Sequence, residues 1–252
     1  MTLRLPDSLL ARPIAHRALH DRSAGRPENS RAAARAAVEA GYGIELDIQV
    51  SADGQPMVFH DYDLDRLTGA KGAVYEQSAA ALGGIGLTGG DEGIPTLAEF
   101  LAVVDGKVPL LIEIKDQDGA LGPDVGPLEE AVADTLRGYT GDMAVMSFNP
   151  YSVIAMKRYL PEVPRGLTTE NFATTFEWPI SDEQRRHLSA IADYDEAGAC
   201  FISHNHKHLS MPRVAELKAA GVPILCWTIR SPSDEAKARR VADNITFEGY
   251  LA

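Results

Sequence analysis

The sequence reads IELDI at residues 44–48 and IEIK at residues 112–115, so two short segments alternate apolar with charged residues. Successive side chains of a β-strand point to opposite faces, which places Glu45 with Asp47 and Glu113 with Lys115. Carboxylates removed from water cost free energy unless a positive charge neutralises them. Three converging carboxylates with a lysine nearby therefore predict a hard divalent cation and an anionic substrate.

Short apolar segments alternate with helix signals along the whole chain. Asn29 is expected to cap an alanine-rich helix that ends at Gly41, and residues 96–99 (TLAE) form a capping box. About eight strand–helix repeats predict an α/β fold, a (β/α)8 TIM barrel in one domain spanning residues 1–252. An open doubly wound sheet is the alternative, but no glycine-rich phosphate turn follows the first strand. The predicted strands cover residues 13–17, 43–48, 110–115, 143–147, 164–167, 199–203, 223–228 and 244–247.

One segment departs from this alternation. The turn SADG at residues 51–54 is too short for a parallel crossover, so the segment PMVFHD at residues 56–61 must return antiparallel as a hairpin. The return brings His60 toward Asp47, over the barrel mouth where such barrels carry out chemistry. Residues 61–95 are rich in glycine and small side chains. They are predicted to form a small insertion after the second strand that caps the mouth.

The composition restricts the possible partners. The net charge is −12 at pH 7, so bulk electrostatic binding to nucleic acid or to an anionic membrane surface is not expected. No segment approaches the roughly 18 apolar residues of a membrane span, and residues 1–13 lack the apolar region of a signal peptide. We expect a cytoplasmic protein with a small-molecule substrate and no stable membrane insertion. Cys200 and Cys226 lack metal-ligand spacing and are predicted to be buried, reduced thiols.

A set of short motifs occurs in one order with fitting separations. The motifs are HR at 16–17, PEN at 27–29, ELD at 45–47, DG at 53–54, HD at 60–61, LDR at 64–66, Gly72 and EIK at 113–115. Together they resemble the glycerophosphodiester phosphodiesterase family. The resemblance is strong over residues 13–115, and SF at 147–148 and WT at 227–228 resemble later family positions.

The resemblance implies a (β/α)8 barrel that hydrolyses a glycerophosphodiester to glycerol phosphate and an alcohol. It also implies a divalent cation, Ca²⁺ or Mg²⁺ with Mn²⁺ as a further possibility, and oxygen ligands suit all three ions. Carried over by position, the metal ligands are Glu45, Asp47 and Glu113, the acid–base pair is His16 and His60, and the phosphate-holding residues are Arg17 and Lys115. The nucleophile is either water or the glycerol 2-hydroxyl.

Two other functions stay open. One is a lysophospholipase D or phosphatidylinositol-type phosphodiesterase on the same barrel, and the other is a barrel that binds a phosphodiester without turnover. A mere binder has no need of two histidines, which argues against the latter. The chain departs from the family pattern at Ala18, where glycine is usual, at Arg230, where asparagine is common, and at residues 245–248 (ITFE), where a Thr-Asp element is common. These departures bear on which head group the enzyme accepts rather than on the reaction that it catalyses.

Two further clusters compete as sites. His204, His206 and His208 alternate just after a predicted strand, and they would share one face and could bind zinc if that strand continued. We favour a polar loop with His204 near the mouth, since no Cys or carboxylate nearby completes a ligand set. Three aromatic residues between the fifth and sixth barrel strands either line an apolar part of the cleft or pack under a long loop. They are Phe172, Phe176 and Trp178.

Overall fold

Eight parallel strands close a barrel in the computed structural model, which describes residues 3–175 and 178–252. The strands are β1 (Ile14–Ala15), β2 (Gly43–Val50), β3 (Pro56–Val58), β4 (Leu110–Ile114), β5 (Met143–Ser147), β6 (Arg165–Thr169), β7 (Phe201–Asn205), β8 (Ile224–Ile229) and β9 (Asn244–Phe247). The barrel closes because β1 pairs in parallel with both β2 and β9. The remaining strand, β3, is not one of the eight barrel strands. It runs antiparallel to β2 and forms the predicted hairpin with it. The predicted α/β barrel is confirmed.

Helices alternate with the barrel strands. They are α1 (Ser8–Ala11), α2 (Arg31–Ala40), α3 (Ala79–Gly83), α4 (Leu97–Val104), α5 (Pro127–Leu136), α6 (Pro150–Tyr159), α7 (Asp182–Ser189), α8 (Pro212–Ala219) and α9 (Pro232–Ala238). The exceptions to the alternation are α1, which precedes β1, and α3, which lies in the segment between β3 and α4. Thr96 forms the predicted capping box with Glu99 at the start of α4. The prediction that Asn29 caps α2 is wrong. The side chain of Ser30 accepts the capping hydrogen bond from Ala33 N. The side chain of Asn29 instead points into the barrel and donates to Asp47.

The alternation of residues along β2 and β4 separates two layers of the barrel. Ile44, Leu46 and Ile48 are fully buried against the helices outside. The barrel floor is apolar, with Leu111 of β4 and Phe201 of β7 in one buried cluster. Glycine at residue 166 makes room for this floor, because a Cβ there would lie 2.6 Å from the Phe201 ring. The charged residues of β2 and β4 therefore project inward above an apolar plug.

The segment between β3 and α4 forms the predicted insertion beside the barrel mouth. It contains α3 and a short 3₁₀ turn over Val74–Glu76. Its apolar side chains form a separate buried cluster with Phe59 of the hairpin return, including Leu64, Leu82 and Ile94. Because this cluster fixes the insertion on the hairpin, its polar residues from Tyr62 to Arg66 reach the mouth.

Candidate active site

All seven sequence-predicted site residues line one cleft at the carboxyl ends of the barrel strands. The cleft has a volume of about 760 Å³. Carboxyl ends of parallel strands meet at one end of a barrel, which explains why residues far apart in sequence converge there. The residues brought together are His16, Arg17, Glu45, Asp47, His60, Glu113 and Lys115.

Three buried carboxylates form the centre of the cleft. Asp47 of β2 lies opposite Glu113 of β4 in the parallel register, and Glu45 lies one inward position deeper on β2. One carboxylate oxygen of each residue lies within 4.8 Å of the other two. Burial and the neighbouring charges of Asp47 and Glu113 raise the pKa of Glu45 well above its ordinary value. Such a concentration of buried negative charge fits a divalent cation, and the all-oxygen donor set suits Ca²⁺, Mg²⁺ or Mn²⁺.

Two cationic side chains neutralise part of this charge. Lys115 Nζ lies 2.6 Å from Glu113 Oε1 and 3.0 Å from Asp47 Oδ1. Arg17 Nε lies 3.6 Å from Asp47 Oδ2, and the backbone N–H of Arg17 donates to Glu45 Oε2. Burial acts to raise the pKa of Asp47, but Lys115, His60 and Arg17 outweigh it and hold that pKa well below its usual range. Asp47 is therefore ionised, and the side chains of Arg17 and Lys115 both line the cleft beside the carboxylates.

His16 is held by a carboxylate that directly follows the last strand, β9. His16 Nδ1 lies 2.5 Å from Glu248 Oε2, and Arg230 Nε donates to Glu248 Oε1 at 2.6 Å. The other ring nitrogen, Nε2, lies 4.0 Å from Glu45 Oε2. Burial lowers the pKa of His16, with the hydrogen bond to Glu248 acting in the opposite direction. The ring is thus fixed with Nε2 toward the carboxylate cluster.

His60 has an equivalent partner on the hairpin side. His60 Nδ1 lies 2.7 Å from Asp61 Oδ1, and Arg66 grips Asp61 through Nε and Nη2, each at 2.7 Å. Arg66 also binds Glu28, which in turn accepts from Arg17 Nη1 at 2.6 Å. Burial opposes ionisation of Asp61, but the hydrogen bonds from His60 and Arg66 hold its pKa below the ordinary value. Each histidine therefore has a carboxylate on Nδ1 and an arginine behind that carboxylate.

Sequence comparison decides the family to which this cleft belongs. A model of the Glycerophosphoryl diester phosphodiesterase family matches residues 16–244. The chain belongs to this family. The protein YhdW of Bacillus subtilis (strain 168), provisionally named a glycerophosphodiester phosphodiesterase, is 30% identical over 234 residues, covering 89% of this chain and 88% of that protein. A glycerophosphodiester phosphodiesterase of Caldanaerobacter subterraneus is 34% identical over 164 residues, covering 61% of this chain and 65% of that protein.

Structural comparison agrees with the family assignment. The solved structure of an Oleispira antarctica phosphodiesterase, in complex with the product sn-glycerol-3-phosphate, superposes with a TM-score of 0.78 at 26% sequence identity. The match covers 96% of this chain and 94% of that one. A phosphoric diester hydrolase that acts on glycerophosphodiesters was expected from the motifs, and the family confirms this enzyme class. No helix in residues 3–175 and 178–252 is long and apolar enough to cross a membrane.

Sequence reasoning missed two groups that support the predicted residues. In the sequence, Glu248 is distinguished only as a departure from the family pattern, but in the structure it binds His16. Asn29 was predicted as a helix cap, but its Nδ2 donates to Asp47 Oδ2 at 2.9 Å from a backbone with φ of 59°. The signal for Glu248 was its place directly after a strand, where the carboxyl-end rule puts polar residues at the mouth.

The three histidines do not share one strand face, because β7 ends at Asn205 and a 3₁₀ turn over His206–His208 follows. The loop interpretation therefore holds for His206 and His208, but not for His204, which lies within β7. His204 is fully buried, with Nδ1 2.8 Å from Thr169 Oγ1 and Nε2 3.2 Å from the carbonyl of His208. His206 lines the cleft instead of His204. In the part of the chain that the structure describes, the acidic trio is the only cluster suited to a metal.

An aromatic wall bounds the cleft opposite the hairpin. It consists of Phe148, Trp178 and Trp227, with ring centroids of Phe148 4.9 Å from Trp178 and 5.4 Å from Trp227. Phe172 is buried behind this wall, 6.3 Å from Phe148, and so packs rather than lines the cleft. Phe176 lies outside the described residues. Of the three aromatic residues considered in the sequence, Trp178 reaches the cleft, and it is the only one to do so among the residues that the structure describes.

Proposed function

We propose that this family member cleaves glycerophosphodiesters to glycerol phosphate and an alcohol, using a divalent cation held by Glu45, Asp47 and Glu113. The observation that supports this proposal is that the acidic trio, two histidines and two cationic side chains, Arg17 and Lys115, converge on one cleft. When bound, the cation would offset the negative charge of the phosphodiester and so lower the barrier to nucleophilic attack. Ca²⁺ and Mg²⁺ are the ions that we propose, with Mn²⁺ as a substitute.

The cationic side chains are proposed to bind the phosphate. Lys115 and Arg17 lie against the acidic trio and face the cleft. Arg17 presents a planar fork that suits phosphate oxygens, whereas Lys115 supplies a point charge. Their contacts would orient the phosphorus between the two histidines. Neither side chain is proposed to transfer a proton. Burial acts to lower the pKa of Lys115, but the negative charges of Asp47 and Glu113 outweigh it and raise that pKa above its ordinary value.

The histidines are proposed to act as an acid–base pair. His16 Nε2 faces the acidic trio, and burial favours the neutral ring that a base requires. His16 would take the proton of the attacking hydroxyl, whether water or the glycerol 2-hydroxyl. His60 lies on the hairpin rim, more exposed than His16, and would give a proton to the oxygen of the leaving alcohol. The carboxylates of Glu248 and Asp61 hold the two rings in place.

Product analysis with defined diesters tests the proposed reaction. Purified protein with Ca²⁺, Mg²⁺ or Mn²⁺ is expected to convert glycerophosphocholine and glycerophosphoethanolamine to glycerol phosphate and the free alcohol, as followed by ³¹P NMR. Asp47→Asn should abolish turnover, whereas Asp65→Asn, on the exposed rim of the same cleft, should not. Release of phosphocholine, or no hydrolysis of either diester with any of the three ions, would contradict the proposal.

A lysophospholipid is a second candidate substrate, and the aromatic wall favours it. Phe148, Trp178 and Trp227 offer an apolar surface that a glycerol or choline group alone would not fill. The comparison of kcat/KM for lysophosphatidylcholine and glycerophosphocholine decides between the two substrates. If the wall holds an acyl chain, Trp178→Ala should lower kcat/KM for the lysophospholipid and leave that for glycerophosphocholine within about twofold.

We also propose that residues 1–252 form one domain that works in the cytoplasm on small soluble diesters of lipid metabolism. The net charge of −12 supports a weak affinity for anionic membranes, and both cysteines are unbonded, with Cys226 buried and Cys200 half-buried. A single cooperative urea transition followed by two probes tests the domain proposal. Fractionation of the source cells tests the location, and recovery with the membranes or outside the cell would contradict it.

A further inference from the structure

The geometry points to Glu248 and Arg230 as positioning residues that fix the tautomer of His16, an inference that rests on the proposed base role of His16. Neither residue is hydrogen-bonded to the acidic trio. Arg230 directly follows β8 and Glu248 directly follows β9, where the chain departs from its family pattern. They lie on the side of the His16 ring that faces away from Glu45. Their proposed role is therefore exerted through His16 alone.

The hydrogen bond to Glu248 selects one ring nitrogen for the proton. An ionised carboxylate can only accept hydrogen bonds, so the 2.5 Å contact with Glu248 Oε2 requires a proton on His16 Nδ1. The neutral ring then carries its lone pair on Nε2, which points toward the acidic trio. His20 Nε2 approaches the same Glu248 oxygen only to 3.6 Å, beyond hydrogen-bond distance, so it does not replace His16 as the donor.

Arg230 decides which oxygen of Glu248 faces His16. Its Nε donates to Oε1 at 2.6 Å, which leaves Oε2 for the histidine. In the isosteric variant Glu248→Gln, the Arg230 donor would capture the single amide oxygen. The amide NH₂ would then face His16 Nδ1 and donate to it, which forces the proton onto Nε2. The lone pair that the base needs would be turned away from the cleft.

The first experiment reads the tautomer directly. The ¹⁵N chemical shifts of the His16 ring, assigned by comparison with His16→Gln, should show a neutral ring protonated on Nδ1 in the wild type. The same shifts should show protonation on Nε2 in Glu248→Gln. A wild-type ring protonated on Nε2 overturns the inference without any assay of activity. That result would leave the proposed reaction untouched. The proposed reaction is contradicted by a different result, namely that the wild-type protein hydrolyses no diester.

The second experiment uses steady-state kinetics with glycerophosphocholine. Glu248→Gln should lower kcat by about 100-fold with KM within about twofold, because the tautomer and not the binding is changed. Glu248→Asp, which keeps the carboxylate, should recover at least part of this loss. Glu216→Gln, which removes a carboxylate from another Arg–Glu pair far from the cleft, is the matched control and should behave as the wild type.

The double variant separates the tautomer effect from a general structural role. In Arg230→Met/Glu248→Gln, no guanidinium captures the amide oxygen, so the amide can turn and accept from His16 Nδ1. The kcat of the double variant should therefore be several-fold higher than that of Glu248→Gln alone, although the double variant has one more substitution. A double variant slower than Glu248→Gln, or a Glu248→Gln enzyme within twofold of wild type with Nδ1 still protonated, overturns the inference.

Discussion

Lys115 Nζ and Asp47 Oδ1 lie 3.0 Å apart across two neighbouring strands of the barrel. The same ammonium also lies 2.6 Å from Glu113, so one positive charge serves two of the three central carboxylates. Glu45 receives a backbone N–H from Arg17 but no ammonium or guanidinium within 4.0 Å among the described residues. The cluster therefore carries negative charge that a bound cation would neutralise.

Metal removal should abolish activity and lower stability. Chelation is expected to eliminate hydrolysis, and Ca²⁺, Mg²⁺ or Mn²⁺ should restore it. Because the cation binds the folded state, saturation to about 100 times Kd should add about 2.7 kcal/mol to the free energy of unfolding, visible as a higher Tm. Full activity of the metal-free protein would contradict the proposed site.

Replacement of Glu45 should weaken cation binding selectively. Glu45→Gln keeps the side-chain shape but removes one buried charge from the trio, so calorimetry should show a cation Kd raised by about 10-fold or more. Asp63→Asn, on the exposed rim of the same cleft, is the control and should leave Kd unchanged. Wild-type cation affinity in Glu45→Gln would show that the ion lies elsewhere.

Loss of the phosphate-binding cations should affect binding and turnover but not the pH limits of the rate. Lys115→Ala and Arg17→Ala are each expected to raise KM and to lower kcat, since both contacts with phosphate persist in the transition state. Both limbs of the pH–rate profile should remain. Lys71→Ala, at an exposed salt bridge with Asp65, should have no effect. A missing limb in Lys115→Ala with unchanged KM would assign a proton transfer to this lysine.

The sequence was sufficient for the barrel and for the acidic trio because both depend on local alternation. Strands β5 and β9 have the predicted bounds, and the hairpin follows from a turn too short for any other connection. The trio needed only the rule that inward residues at carboxyl ends meet at the mouth. Local pattern and barrel geometry here specify the same side chains.

The partners of the histidines depend on tertiary contacts that no local pattern records. Glu248 is separated from His16 by 232 residues, and its role follows only when β9 closes the barrel against β1. Asn29 has the residue type of a helix cap, but a left-handed backbone turns it toward Asp47, and Ser30 takes the cap. The buried environment of His204 likewise required knowledge of where β7 ends.

The two histidines should behave as a unit. His16→Ala and His60→Ala are each expected to lower kcat by orders of magnitude, and the double variant should lose little more than either single one. The wild-type rate should follow a bell-shaped pH profile that belongs to the pair. A nitrophenyl diester needs less help from an acid, so it should partly rescue His60→Ala but not His16→Ala. Rescue of His16→Ala alone would reverse the assigned roles, and near-wild-type hydrolysis of a natural diester by His60→Ala would refute the mechanism.

The buried His204 should make the fold less stable in acid. Burial lowers the pKa of His204 from 6.5 to about 4, so the unfolded chain binds a proton at this position before the folded protein does. The contribution of neutral His204 to the free energy of unfolding is therefore complete above pH 6.5. As the pH falls toward 4, at most about 3 kcal/mol of this free energy is lost. Urea unfolding at a series of pH values should show a flatter dependence in this window for His204→Gln than for the wild type. An unchanged slope in His204→Gln would show that other groups cause the loss of stability.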